Sequence, residues 1–120
     1  MIKLVNIHRD FQVGDQVVHA LDDINLEIQQ GEYVSVMGPS GSGKSTLLNL
    51  MGLLDHASAG KYFLNDRDVT GLDEYEESHT RNQQIGFVFQ AFHLVPRLTA
   101  AQNIELPLIL AGMEVEQRVE

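Results

Sequence analysis

The chain has 120 residues, a formal net charge of −9, 43% hydrophobic and 21% charged residues, and no cysteine. That is enough for one domain with a core, and it excludes a disulfide framework and thiolate metal sites. The eight Lys and Arg are scattered singly, which argues against a nucleic-acid partner. The opening residues lack the continuous apolar run of a secretory signal. The longest apolar stretch, residues 106–113, falls far short of the roughly 20 needed to span a bilayer.

Residues 2–9 alternate apolar and polar, Gly14-Asp15 offers a turn, and residues 16–21 follow it, so the chain is expected to open with a β-hairpin. Asp22-Asp23 is expected to break that hairpin. Residues 24–28 alternate again, Gln29 to Glu32 turn, and residues 33–37, bounded by Gly31 and Gly38, read as a short buried strand. A helix is expected over residues 44–51, carrying Leu47, Leu48, Leu50 and Met51, with Gly52 as its stop. Beyond it come a turn at residues 56–60, a strand over 61–64, a reversal at Asn65-Asp66, and a polar, mostly helical stretch over 70–83. Residues 85–89 read as a second buried strand ending at Gln90. Thr99-Ala-Ala-Gln102 matches a capping box opening a helix toward Gly112, with Pro107 expected to kink it. A further helix starts near Glu114, where Val115 and Val119 form one apolar stripe.

Between the strand at 33–37 and the helix at 44–51 the chain reads Gly38-Pro39-Ser40-Gly41-Ser42-Gly43-Lys44-Ser45. This is a complete phosphate-binding loop. Its glycines let the backbone turn tightly and approach a phosphate, so that successive N–H groups point inward as an anion nest. The helix N-terminus adds positive potential. Lys44 is expected at the β- and γ-phosphates, Ser45 on Mg²⁺, and Thr46 at the α-phosphate. Local charge favours the same ligand against the acidic trend of the whole chain: from residue 33 to 54 the one charged side chain is Lys44. Each charge-assisted hydrogen bond to phosphate contributes about 1.5–3 kcal/mol. ATP with Mg²⁺ is the expected ligand.

Four segments resemble the ATP-binding cassette (ABC) transporter ATPases. Phe11 ends the first strand, where that family places an aromatic against adenine. Residues 37–50, Met-Gly-Pro-Ser-Gly-Ser-Gly-Lys-Ser-Thr-Leu-Leu-Asn-Leu, are similar to its Walker A segment. Ile85-Gly-Phe-Val-Phe-Gln90 resembles its glutamine loop, and Leu98-Thr-Ala-Ala-Gln-Asn-Ile-Glu-Leu-Pro-Leu108 resembles the opening of its helical subdomain. The wording is closest to the lipoprotein-release and macrolide-export branch.

The resemblance covers essentially all 120 residues and only the first half of the family's domain. It implies an α/β fold: a P-loop NTPase core with an antiparallel β-subdomain and the start of a helical subdomain. It also implies an ATPase on the cytoplasmic face of a membrane, pairing with a second nucleotide-binding domain and with transmembrane permease subunits. Phe11 would stack on adenine, and Gln90 would bind Mg²⁺ or orient the attacking water. Gln90, Phe92, His93, Leu94 and Val95 would meet the permease.

The family's Walker B Asp-Glu, its Leu-Ser-Gly-Gly-Gln signature and its switch histidine all follow the helical subdomain, and these residues contain none of them. Met51-Gly-Leu-Leu-Asp55 imitates Walker B superficially but prolongs a helix and leads into His56. The expectation is therefore ATP binding without appreciable turnover by residues 1–120 alone, and a tendency to associate through an open sheet edge. Two other classes share the loop: a cassette that regulates a membrane complex, and a P-loop phosphotransferase. The latter would need basic residues for an acceptor phosphate, whereas Arg81 and Arg97 stand alone.

Overall fold

A computed structural model describes residues 1–118. The chain forms two compact units, residues 1–77 and residues 78 onward.

In the first unit, β1 (Ile2–Val13) and β2 (Gln16–Ile28) form an antiparallel hairpin whose two-residue turn places Gly14 at φ 62°, a conformation that suits glycine. β3 (Ala59–Leu64) pairs antiparallel with β1, and β4 (Arg67–Asp68) pairs with β3, giving the order β2-β1-β3-β4. The expected break at Asp22-Asp23 does not occur, because irregular pairing absorbs it and β2 runs on to Ile28. Asn6 and Asp23 both take positive φ, which Asn and Asp tolerate better than most residues. Their side chains then close the gap. Asn6 Nδ2 donates to Asp23 Oδ1 at 2.6 Å, and the Asn6 N–H donates to Asn25 Oδ1 at 2.9 Å. The hydrogen bond from Asn6 holds the Asp23 carboxyl below the usual carboxylate range. Gly60, at φ 98°, passes so close to this bulge that a Cβ would run into the Asn6 carbonyl oxygen.

The core of this unit gathers Leu4, Ile7 and Leu21 from the hairpin, Leu50 and Leu53 from helix α1 (Lys44–Met51) and the turn after it, Tyr62 and Leu64 from β3, and Val69. Tyr62 and Leu64 are two apart and so share one face of the sheet. The Tyr62 hydroxyl donates to the Met51 carbonyl at 2.7 Å, and burial pushes its pKa up to about 12. Helix α2 (Glu74–Gln84) begins later than the expected residue 70. Asp73 caps it: the Glu76 N–H donates to Asp73 Oδ1 at 2.8 Å and Glu76 Oε2 accepts from the Asp73 N–H at 3.4 Å.

The second unit holds α3 (Ala100–Leu110) and a 3-10 turn (Val115–Gln117). The capping box is present as expected: Thr99 Oγ1 accepts from the Gln102 N–H and Gln102 Oε1 from the Thr99 N–H. The helix runs through Pro107 to Leu110. The helix expected near Glu114 is only the single 3-10 turn, and Val119, the second residue of its stripe, lies outside the described residues.

Residues 33–37 and 85–89, read as buried strands, take no regular secondary structure and belong to no sheet. Tyr33 is 97% exposed and Val88 fully so. β-branched and aromatic residues favour extended backbone, but a strand exists only where a neighbour takes up its N–H and C=O groups. Neither segment has that neighbour among the four strands described.

Candidate functional site

The phosphate loop is built around one strict glycine requirement. Gly43 caps α1 at φ 84°, and a Cβ there would strike the Ala20 carbonyl oxygen of β2. Close approach of loop to hairpin is therefore possible only with glycine. At Gly38 a Cβ would lie 2.6 Å from Ser42 Oγ, the end of a side chain that can rotate away, so the constraint there is weaker than at Gly43.

The cleft so formed has a volume of about 570 Å³ and is lined by Val18, His19 and Ala20 of β2 together with Ser40, Gly41, Gly43, Lys44, Ser45 and Thr46. No lining residue carries a carboxylate. The first turn of α1 holds no acid, and Gly43 offers no side-chain cap, so the leading N–H groups of the helix face the cleft without a side-chain acceptor of their own. Lys44 Nζ donates to the carbonyls of Gly38 at 2.8 Å and Pro39 at 2.6 Å, with Ser42 Oγ at 3.4 Å. Two of its three donors are thus engaged at normal distance, which fixes the ammonium over the loop.

Phe11 faces Val18 directly across the hairpin, so the two side chains stand on one face of the sheet and Phe11 neighbours the cleft without lining it. The Arg9 guanidinium lies over the Phe11 ring and pairs with Asp55. Asp55, the last residue of the Walker B imitation, therefore sits in the turn after α1 as a salt-bridge partner. His19 Nδ1 lies 2.8 Å from Asp10 Oδ1.

Gln90 and its neighbours belong to the second unit. Gln90, Phe92, His93, Leu94 and Val95 are all exposed, Phe92 at 92%. Phe87 stacks on Phe89 with centroids 5.3 Å apart, and His93 packs edge-on to Phe89 at 4.7 Å. Asn103 of α3 anchors the end of this segment, its Oδ1 accepting from the Val95 N–H at 2.8 Å and its Nδ2 donating to the Thr99 carbonyl at 3.0 Å.

Of the residues singled out in the sequence, Ser40, Gly41, Gly43, Lys44, Ser45 and Thr46 meet in one cleft. Gly38, Pro39 and Ser42 complete the loop behind it. The wall contributed by Val18, His19 and Ala20 was not foreseen, since nothing in their alternation says which loop they face, and the Arg9–Asp55 pair joins residues too far apart in sequence to suggest each other. Among the described residues no group of three His, Cys, Asp or Glu could hold a metal ion, and no helix is long and apolar enough to cross a membrane.

Residues 21–120 match the ABC transporter family. The chain belongs to that family. It is 48% identical over 120 residues to an uncharacterized ABC transporter ATP-binding protein, YknY, of Bacillus subtilis, and 49% identical over 121 residues to another, MJ0796, of Methanocaldococcus jannaschii. In each case it covers 98–100% of itself and 52% of the relative. It is also 49% identical to the macrolide export ATP-binding/permease protein MacB of Marinobacter nauticus, covering 98% of itself and 18% of that protein. The chain thus spans about half the length of the two ATP-binding relatives. Among solved structures it resembles a dimeric post-hydrolysis state of MJ0796 bound to ADP and Pi, with a TM-score of 0.90 and 45% identity over 98% of this chain and 52% of that one. The family's α/β cassette fold is therefore the fold of this chain.

Proposed function

We propose that residues 1–120 are the N-terminal, nucleotide-capturing part of the ATP-binding domain of an ABC transporter. The observation that carries this reading is the Lys44 ammonium, fixed by the Gly38 and Pro39 carbonyls over a carboxylate-free cleft at the start of α1. A triphosphate tail satisfies that arrangement. The third ammonium donor turns to the β- and γ-phosphates, and backbone N–H groups of the loop and helix N-terminus surround the charge.

The donor set fits magnesium ATP. Ser45, in the cleft lining, would hold the metal with its hydroxyl, Thr46 would bond the α-phosphate, and Phe11 beside Val18 would stack on the base. Gln90 would complete the metal's surroundings from the glutamine loop. The metal's part is to neutralise phosphate charge; the chain's part is to bind and orient the tail. Residues 1–120 contain no apolar strand ending in Asp-Glu, so no side chain is assigned to activate water, and the expected behaviour is binding without steady-state turnover.

The transport role follows from the family and from the ATP-binding/permease architecture named for MacB. In the full assembly the domain would pair with a second copy and hydrolyse ATP against permease subunits on the cytoplasmic side of a membrane, with Gln90, Phe92, His93, Leu94 and Val95 forming the permease contact and the cargo being macrolide- or lipoprotein-like. Equilibrium binding of Mg-ATP to the chain and to Lys44→Ala tests the core of this reading. Affinity falling at least about tenfold, on the scale of one charge-assisted hydrogen bond, is expected. Equal affinity would remove Lys44 from the site.

A further inference from the structure

The Nε/Nη2 edge of the Arg9 guanidinium is filled by one carboxylate. Nε donates to Asp55 Oδ2 at 2.9 Å, Nη2 donates to Asp55 Oδ1 at 2.7 Å, and Nη1 reaches the Asp10 carbonyl at 3.4 Å. Its flat face is turned to a ring, with Cζ 4.3 Å from the centroid of the Phe11 ring. A guanidinium held in plane by a bidentate carboxylate is pre-organised to stack, and a cation this close to an aromatic face is attracted by the ring's quadrupole. The pair is shielded, with side-chain exposures of 23% for Arg9 and 21% for Asp55, so water screens it less than it would a surface pair.

The three residues link parts of the site that are distant in sequence. Arg9 and Phe11 are two apart on β1. Asp55 sits in the turn that follows α1, the helix whose first residues are Lys44 and Ser45. The far end of the phosphate-loop helix is thereby tied to the ring beside the cleft. Phe11 keeps 36% of its surface exposed, enough to receive a planar partner.

We propose that Arg9, clamped by Asp55, is a positioning residue for the nucleotide base: it covers part of the Phe11 ring and holds the remainder ready to stack on a purine. The inference rests on reading the loop as a triphosphate site, and it adds a residue that touches neither phosphate nor metal. Its action is confined to the base end of the ligand. Removing it therefore discriminates between ligands with and without a base, which a loss of general structure does not.

The test compares Mg-ATP with magnesium tripolyphosphate, which has the tail and no base, on the full chain and on Arg9→Met, Arg9→Lys, Asp55→Asn and Phe11→Ala, each checked for unchanged far-ultraviolet dichroism. Arg9→Met is expected to weaken Mg-ATP by about two- to fivefold and to leave tripolyphosphate unchanged. Asp55→Asn should do the same, more mildly, and Arg9→Lys should recover part of the loss, since an ammonium cannot pair bidentately and stack at once. In a Phe11→Ala background the Arg9→Met effect should vanish. Equal loss of both ligands, or an undiminished Arg9→Met effect without the ring, would overturn the inference while leaving the triphosphate site standing. An unmodified chain that binds neither ligand would overturn both.

Discussion

The two units of this chain use their apolar residues in opposite ways. In residues 1–77, Leu4, Ile7, Leu21, Leu50, Leu53, Tyr62, Leu64 and Val69 are all buried, and the sheet that buries them joins β1 to β3 across most of the unit. In residues 78–118, Phe87, Val88, Phe89, Phe92 and Leu94 are exposed. The contacts there are mostly short-range, a capping box, one asparagine bonded to the turn before its helix, and three rings in contact, with one longer link from Asn82 Nδ2 to the Pro107 carbonyl at 3.3 Å. The first unit is held by many contacts between distant residues and the second mainly by neighbours in sequence. Substitutions should therefore cost much more in the first than in the second.

The largest difference is expected between two glycine replacements. Gly60→Ala meets both a positive φ and the Asn6 carbonyl, and should destabilise the first unit by about 2–4 kcal/mol. Gly86→Ala has open space around its Cβ and should stay within about 0.5 kcal/mol. Urea midpoints for the two variants make the comparison, and equal midpoints would break it. Leu4→Ala is expected to cost about 2–5 kcal/mol through lost burial and a cavity, against about 0.5 kcal/mol or less for Val88→Ala. Next in size, Thr99→Ala should cost about 1 kcal/mol, read as faster amide exchange in the first turn of α3 with β1 unaffected.

A separate expectation concerns pH dependence. The folded state holds the Tyr62 proton more tightly than the unfolded chain does, with a pKa of about 12 against an ordinary 10.0. Its contribution is complete below pH 10 and is lost as pH rises through 12. Stability should decline over that window, and Tyr62→Phe should flatten the decline. Asp23 works in the opposite sense: its lowered pKa contributes above the ordinary carboxylate value and is lost as pH falls through the folded one. Asn6→Ala should reduce that acid-side dependence, the Asn25 hydrogen bond to Asp23 accounting for part of what remains.

The parts of this molecule that sequence makes legible are those whose chemistry is local. Gly38 to Ser45 need their residue types for reasons of backbone geometry and charge that hold wherever the loop is placed, and Thr99 with Gln102 satisfies a helix end within four residues. The hairpin turn at Gly14 belongs to the same class. What was not legible depends on partners. Residues 33–37 and 85–89 have strand composition without a ladder, Asp22-Asp23 reads as a break until Asn6 arrives from the opposing strand and Asn25 turns back from two residues further along β2, and the Arg9–Asp55 clamp exists only once α1 has folded back on the hairpin.

The central claim is that the loop from Gly38 to Thr46 captures a triphosphate tail, and titration calorimetry of the folded chain with Mg-ATP tests it most directly. The account predicts a saturable heat of one site per chain, competed by magnesium tripolyphosphate and strongly weakened in Lys44→Ala. A flat trace from folded protein, or saturable binding that survives loss of the lysine unchanged, would contradict it.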